Sequence, residues 1–550
     1  MSTAGPTNPS WTRTSRYDIP TLLEDNATTR PDKICLRFDD IDITYAEIHR
    51  RSTAVANQLT ALGLRPGGRV GALMYNCPEL LYLWFATAKL GAIFVPINVN
   101  YRGEFLRHQL ATARVEIMVT SDDLARPVAD VADGAPSLAH LVLQLGSTVD
   151  ADALGDRLAV HSFEDLLAGP DDEVRIERRP RWNDPNAIIF TAGTTGPSKG
   201  AVLTQHYLVR AARQLFVEMR DGREDDVSYS PLPLFHLNAL IMGVLGPMTT
   251  GATGALDKHF SVSRFWDRVR HYQATQCSIL GTMISMLWQV PASDEDRTVP
   301  IRVMLAAPIP AELHHRFEER FGLRLVCAYG LSEAVPLLIS SVDDPPPPGA
   351  AGKPNPVFDI QLVDDEDTPV RPGTAGEIIC RPREPHVMFE GYDGNPEATV
   401  TTWRNLWFHT GDLVRQRDDG WFEFVDRKKD YIRRRGENIS SFEVEHAILL
   451  HPAVADVAVH AVASEFSEDD VKACVVLHEG SALEPKELLD HCVANMPYFA
   501  VPRYIEFFDE IPKNPVGRVL KYQLRERGAT PTTWDREAAG YRVGRPSRPT

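Results

Sequence analysis

The apolar run Ile188-Ile189-Phe190 leads into Thr191-Ala192-Gly193-Thr194-Thr195-Gly196-Pro197-Ser198-Lys199-Gly200, a strand followed by a loop whose residue types suit phosphate. Glycines let backbone N–H groups approach an anion, the hydroxyls of Thr194, Thr195 and Ser198 add donors, and Lys199 adds a mobile positive charge. The common P-loop has a different glycine spacing and follows its lysine with Ser or Thr, whereas Gly200 follows Lys199. Alone, such a loop is more often a turn. Four further regions supply the other parts of a nucleotide site. Tyr329-Gly330-Leu331-Ser332-Glu333 sets an aromatic ring, a hydroxyl and a carboxylate at the end of a strand-like run, where α/β sheets bind ligands. Trp407 to Asp412 ends in a carboxylate able to take both hydroxyls of a ribose. Asp426 to Asp430 joins Gly436-Glu437-Asn438-Ile439, and Pro512 to Lys521 closes the series.

These residues need a scaffold of layers. At 550 residues the chain exceeds a single compact core, and 43% apolar content is that of an ordinary globular protein. Short β-branched runs at Val70–Tyr75, Ala92–Ile97, Val115–Thr120, Ala187–Thr191, Thr275–Ile279 and Arg302–Ala306 alternate with helical patterns. That alternation predicts an α/β fold with parallel strands. The proline-rich stretch Asp343–Pro356 reads as a surface loop, and Asp359–Val363 with Gly376–Cys380 as a small β unit. Beyond Phe424 the pattern becomes that of a small domain. The expected division is 1–17 as an N-terminal extension, 18–428 as the large domain, 429–528 as a mobile C-terminal domain, and 529–550 as an extended or disordered tail.

A net charge of −17 argues against a general nucleic-acid surface. In so acidic a chain the cluster Arg427-Lys428-Lys429 and Arg433-Arg434-Arg435 gains weight as a phosphate seat over the usual solvated face. Seven scattered cysteines without CxxC spacing read as reduced thiols, and the polar N-terminus lacks the core of a signal peptide, so a cytoplasmic location is expected. The uncharged segment Leu237–Leu256 is broken by Asn238, Pro247 and several glycines, and reads as buried protein, not a membrane span.

The five regions in this order closely resemble the adenylate-forming superfamily of acyl-CoA synthetases, peptide-synthetase adenylation domains and luciferases, over roughly residues 20 to 525. The resemblance is strongest to acyl-CoA ligases. It implies a large N-terminal domain of layered α/β sheets with a β subdomain, a small mobile α+β C-terminal domain, and two half reactions. A carboxylate attacks ATP to give acyl-AMP and pyrophosphate, and the thiol of coenzyme A then displaces AMP. By the same resemblance, Thr191, Gly193, Thr194, Thr195, Gly196, Ser198 and Lys199 would hold the ATP phosphates. Tyr329 and Gly330 would lie at adenine beside Ala306, Ala307 and Pro308; Ser332 would touch phosphate and Glu333 would bind Mg²⁺. Asp412, helped by Arg427, would bind the ribose. Lys429 matches the hinge, His236 a gate between the acid and CoA tunnels, and Gly436 a loop on the pantetheine path. A homodimer is a family-level expectation.

The chain departs from the family pattern at one position above all. Arg518 stands where the family has a lysine that bridges the substrate carboxylate and the α-phosphate during adenylation. Lysine is a compact ammonium, whereas guanidinium is planar and fixed in fork geometry. Losing one such contact typically slows a reaction about 10²- to 10³-fold. Ala192 replaces a usual serine, and Ser198 separates Pro197 from Lys199 where proline commonly precedes the lysine directly. Arg435 replaces the first of two glycines; with Arg433 and Arg434 it would narrow the tunnel or bind a CoA phosphate, and three solvated arginines are an equal reading. In this family the small domain rotates, so the face bearing Arg518 serves adenylation and the face bearing Arg433 to Glu437 serves thioester formation. The expectation is therefore a ligase that joins CoA to a hydrophobic or bulky acyl-AMP while making that adenylate poorly, so that a separate adenylating enzyme supplies it. A complete ATP-dependent synthetase that tolerates Arg518 is the first alternative, and a non-catalytic adenylate-binding protein the second.

Overall fold

The computed structural model describes residues 17–145, 157–174, 176, 178–191, 197–427, 431–434, 437–464, 468–513 and 519–544. Two seven-stranded sheets form the body of the large domain among these residues. One runs in the order 324–326, 303–307, 276–280, 227–230, 253–256, 34–38 and 41–44, parallel except for the last pair. The other runs 159–162, 140–143, 117–120, 69–73, 93–96, 185–191 and 199–204, again antiparallel only at the last pair. Their inner strands are Val-, Ile-, Leu- and Ala-rich and buried on both faces, as helix-covered parallel sheets require. Pro78–Leu90 is buried along almost its whole length, with Trp84 and Phe85 stacked at 5.5 Å between ring centres. Leu237–Leu256 is buried along most of its length, as expected, and no helix among the described residues is long and apolar enough to cross a membrane.

An antiparallel unit of strands Phe358–Val363, Ala375–Pro382, Trp407–Gln416 and Phe422–Arg427 follows. The segment expected to be a surface loop, Asp343–Pro356, is one only in its first half. Ala350 is buried, Lys353–Pro354 pairs as a short strand, and Asn355 is fully buried against Gln214 and the Pro336 carbonyl. Its amide supplies the hydrogen bonds that proline cannot.

The hairpin Tyr431–Arg434 and Glu437–Ser440 opens the C-terminal domain, whose sheet runs Val454–Ala463, Asp469–Leu477, Tyr504–Phe507 and Trp534–Asp535. Its two faces bury different things. One face (Val457, Val459, Val471, Ala473, Val475, Ile505) packs on Ile432, Ile439, Ser441–Leu449 and Pro485–Asn495, and this cluster includes Phe105 of the large domain. The other (Ala458, Cys474) packs on Ile511, Leu524 and the half-buried Val519. The tail corrects the expectation of disorder over residues 529–544. Trp534–Asp535 pairs with Tyr504–Ile505, the hydroxyls of Thr530, Thr532 and Thr533 all donate to the buried Glu506 carboxylate, and Arg536 donates to the Val501 carbonyl at 3.0 Å. Its threonines and arginine answer polar groups of the domain, so a composition poor in apolar residues still folds.

Candidate active site

The segment expected to hold phosphate joins two paired strands. Pro185–Thr191 and Lys199–Thr204 are antiparallel, with Thr191 opposite Lys199. This pairing brings Thr191 and Lys199 together. Gly193, Thr194, Thr195 and Gly196 lie outside the described residues, as do Lys429, Arg435, Gly436 and Arg518.

At the loop's base Glu333 is 4% exposed, and its Oε1 accepts hydrogen bonds from Thr191 Oγ1 at 3.0 Å and Tyr392 OH at 2.9 Å. Burial pushes its carboxyl pKa up, against the opposing pull of these hydrogen bonds and of Lys199. Lys199 Nζ lies 5.2 Å over the Tyr392 ring. The backbone beside Glu333 is clamped: Phe389 N–H donates to the Glu333 carbonyl and Tyr207 OH to that of Ser332. A hard cation such as Mg²⁺ takes one or two carboxylates and completes its shell with phosphate and water. A single buried carboxylate beside Thr191 and Lys199 has the donor type such a cation takes. The His314, His315 and Glu318 group, with ligand atoms within 4.8 Å of one another, is different in kind: Glu318 Oε1 already accepts the Leu325 N–H at 2.9 Å.

Tyr329 and Asp412 meet. Tyr329 OH donates to Asp412 Oδ2 at 2.7 Å, and Asp412 is 2% exposed. Asp412 lies opposite Arg427 in strand register, and the Tyr329 ring is 6.3 Å from that of Phe424. Ala307 and Pro308 end the strand Val303–Ala307, where Gly281 approaches so closely that a Cβ there would lie 1.9 Å from the Pro308 carbonyl oxygen. Only glycine fits at 281, which brings the helix Gly281–Trp288 against this wall.

His236 faces the C-terminal domain. Its Nε2 is 3.3 Å from Glu437 Oε2, and Asn98 Nδ2 donates to Glu437 Oε1 at 3.3 Å. Loss of water in this crevice lowers the imidazole pKa and Arg433 lowers it further, but the charge and hydrogen bond of Glu437 raise it more, and the net direction is up. Three further contacts join the domains. Ser198 N–H donates to Glu443 Oε1 at 2.9 Å, His446 Nε2 is 3.5 Å from Glu104 Oε1, and Gly103 lies against the end of Pro485–Asn495.

Arg434 belongs neither to a CoA phosphate nor to solvent. It is 3% exposed, pairs with Asp470 at 2.8 Å and donates to the Phe499 and Val501 carbonyls. It shares a strand face with the buried Ile432, so alternation along Tyr431–Arg434 turns it inward and leaves Arg433 half-buried on the other side. Tyr392, Glu437 as a partner of His236, and Glu443 were not singled out in the sequence. Tyr392 follows the apolar Met388-Phe389 like any core aromatic, and Glu443 looks like an ordinary first-turn acid of a helix.

Comparison with known proteins gives the same assignment. The model of the AMP-binding enzyme family matches residues 23–392, and that of the AMP-binding enzyme C-terminal domain matches residues 443–518. The chain belongs to the AMP-binding enzyme family. Crotonobetaine/carnitine–CoA ligases of Salmonella paratyphi C and Salmonella typhi are each 32% identical over 516 residues, spanning 92% of this chain and 98% of theirs. Among solved structures, the anthranilate CoA ligase AuaEII with anthranoyl-AMP is 25% identical, with a TM-score of 0.70 over 93% of this chain and 97% of that one. A double mutant of o-succinylbenzoate CoA synthetase from Bacillus subtilis, bound to its product analogue OSB-NCoA, is 25% identical with a TM-score of 0.78 over 93% of this chain and 99% of that one. The same Bacillus enzyme with AMP scores 0.62, at 25% identity over 92% of this chain and 98% of that one. These relatives are CoA ligases, and the chain is an enzyme of that acid–thiol ligase class.

Proposed function

We propose that this enzyme forms acyl-CoA from the acyl-adenylate of a hydrophobic or bulky carboxylic acid, with its thioester-forming half intact and its adenylating half impaired at Arg518. The observation that carries the reading is the docking of the hairpin Tyr431–Ser440 on His236 and Asn98 through Glu437, while the residues flanking Arg518 pack on the opposite face of the C-terminal sheet. The higher likeness to the Bacillus synthetase holding a CoA analogue than to the same enzyme holding AMP supports this as the arrangement that receives CoA.

In this arrangement Asp412 would hold the ribose of the adenylate, Tyr329 would cover its base beside Ala307 and Pro308, and the hydroxyl of Ser332 would meet its phosphate. Mg²⁺, where adenylation occurs, would neutralise phosphate charge beside Glu333. His236, held by Glu437, would border the passage through which the thiol reaches the acyl carbon, with Arg433 and Arg435 beside the phosphate end of CoA. Acyl-AMP would then come from a separate adenylating enzyme. Seven buried, unpaired cysteines favour a reducing compartment such as the cytoplasm.

The test is a paired assay on a panel of bulky and fatty acids, with acyl-CoA read by mass spectrometry. One arm supplies acid, ATP, Mg²⁺ and CoA, and the other supplies synthetic acyl-AMP and CoA. Product from acyl-AMP only is the expected outcome. Similar rates in both arms would make this a complete ATP-dependent synthetase in which Arg518 works in place of lysine. No thioester from either arm across the panel would favour an adenylate-binding protein without catalysis.

A further inference from the structure

We propose that Glu377 is a positioning residue for the nucleotide site, holding the turn that aims Asp412 at the ribose hydroxyls of the adenylate. The proposal rests on the reading of Asp412 as the ribose residue. Along the strand pair Ala375–Pro382 and Trp407–Gln416, Ile379 faces His409 and Glu377 faces Leu413, so Thr410, Gly411 and Asp412 stand opposite the single residue Ile378. Extra residues in one strand bulge out of the ladder, lose its hydrogen bonds and re-aim a side chain. Gly411 makes the bend, with a φ of 76° in the left-handed region that favours glycine. Asp412 therefore takes its direction from the groups that close the bulge, not from the ladder with Ala375–Pro382.

Two side chains close it. Glu377 Oε1 accepts the Gly411 N–H at 3.0 Å, and Thr410 Oγ1 donates to the Ile378 carbonyl at 2.7 Å while accepting the Asp412 N–H at 3.1 Å. Glu377 is buried, and a carboxylate taken out of water needs partners for both of its oxygens. Its Oε2 lies 3.4 Å from His409 Nδ1 and 3.8 Å from Arg404 Nη2, and Arg404 is itself anchored on Asp367 at 3.0 Å. Arg404 balances the charge of Glu377, and these contacts on Oε2 keep Oε1 turned to the Gly411 N–H. On the other side of the bulge Asp412 Oδ2 accepts the Tyr329 hydroxyl at 2.7 Å, so the residues assigned to base and ribose are aimed together.

The probes are AMP and dideoxyadenosine monophosphate, which lacks both ribose hydroxyls, and their affinities for the full chain are measured by calorimetry. The wild-type protein should prefer AMP by about ten- to a hundredfold, the worth of charge-assisted hydrogen bonds from the hydroxyls to Asp412. Glu377→Ala should weaken AMP about tenfold and leave the dideoxy nucleotide within about twofold, so that the preference shrinks. Glu377→Gln keeps an acceptor oxygen for the Gly411 N–H and should restore most of the preference. Thr410→Val removes the other closure and should reduce the preference in the same way, and it carries the test if Glu377→Ala does not fold. An unchanged preference in Glu377→Ala and Thr410→Val, or equal weakening of both nucleotides, would overturn the positioning role alone. No preference for AMP in the wild-type protein would overturn the ribose reading of Asp412 and the positioning role with it.

Discussion

The two faces of the C-terminal sheet differ in what they touch. The face with the hairpin and Ser441–Leu449 shares a buried cluster with Phe105 and reaches the large domain at His236, Asn98, Ser198 and Glu104. The residues around Arg518 are satisfied within their own domain: Lys513 pairs with Asp456, and Lys521 reaches across to Ser441 and Glu445 at the start of the helix on the docked side. One sheet therefore offers two apolar surfaces with different neighbours, joined at their rim by Lys521. Under the proposed function, the docking contacts of His236, Asn98, Ser198 and Glu104 do not involve the described residues next to Arg518, so a change at Arg518 would weaken one half reaction and spare the other.

The contrast is broken or sharpened by four substitutions. The largest effect is expected from Arg518→Lys, which should raise pyrophosphate release from acid, ATP and Mg²⁺ by about 10²- to 10³-fold and leave the reaction of acyl-AMP with CoA within about twofold. Unchanged pyrophosphate release would place the impairment elsewhere. Arg434→Ala tests the separation of structural from functional arginines on the docked face. It leaves the buried Asp470 with Arg503 as its remaining partner and takes a donor from the Phe499 carbonyl, so thermal unfolding should register a loss of about 1 to 3 kcal/mol in the C-terminal domain. Gly103→Ala addresses docking together with the local backbone, since Gly103 has a φ of 51°. A Cβ there meets Asn495 Cα at 2.8 Å, and the CoA step should fall about tenfold while adenylation, measured by pyrophosphate, does not follow it. Equal loss in both steps would mean that the large domain itself is strained.

The smallest effect is a shift in a pH profile. Glu437 raises the pKa of His236, so the charged contact is complete below that pKa and lost as pH rises through it. The rate of the CoA step should fall on the alkaline side, and Glu437→Gln should move that fall to lower pH. A limb that stays in place would remove His236 from the docking contact.

Much of the site was legible in order but not in pairing. The run Ala187–Thr191 announced its strand because apolar and β-branched residues packed on both sides have few alternatives. That Lys199 begins the return strand was hidden, since Gly, Thr and Ser in a loop do not specify whether the chain leaves it as a helix or as a strand. Tyr329 and Asp412 were each visible as candidates for a nucleotide site, and their hydrogen bond over 83 positions was not. Glu443 and Tyr392 escaped because each does its work through a partner supplied by a distant element. Arg434 was readable in retrospect from its place two residues after Ile432. The tail misled because polarity was read as solubility, when its threonines and Arg536 answer particular buried acceptors.

The short strand Trp534–Asp535 has a further consequence. An unpaired sheet edge is a template for aggregation with other copies of the chain. Along Tyr504–Ile505 that edge is already covered by the chain's own last strand. Removing residues beyond 528 should therefore cost solubility more than turnover, and the loss should deepen under conditions that keep the domains apart.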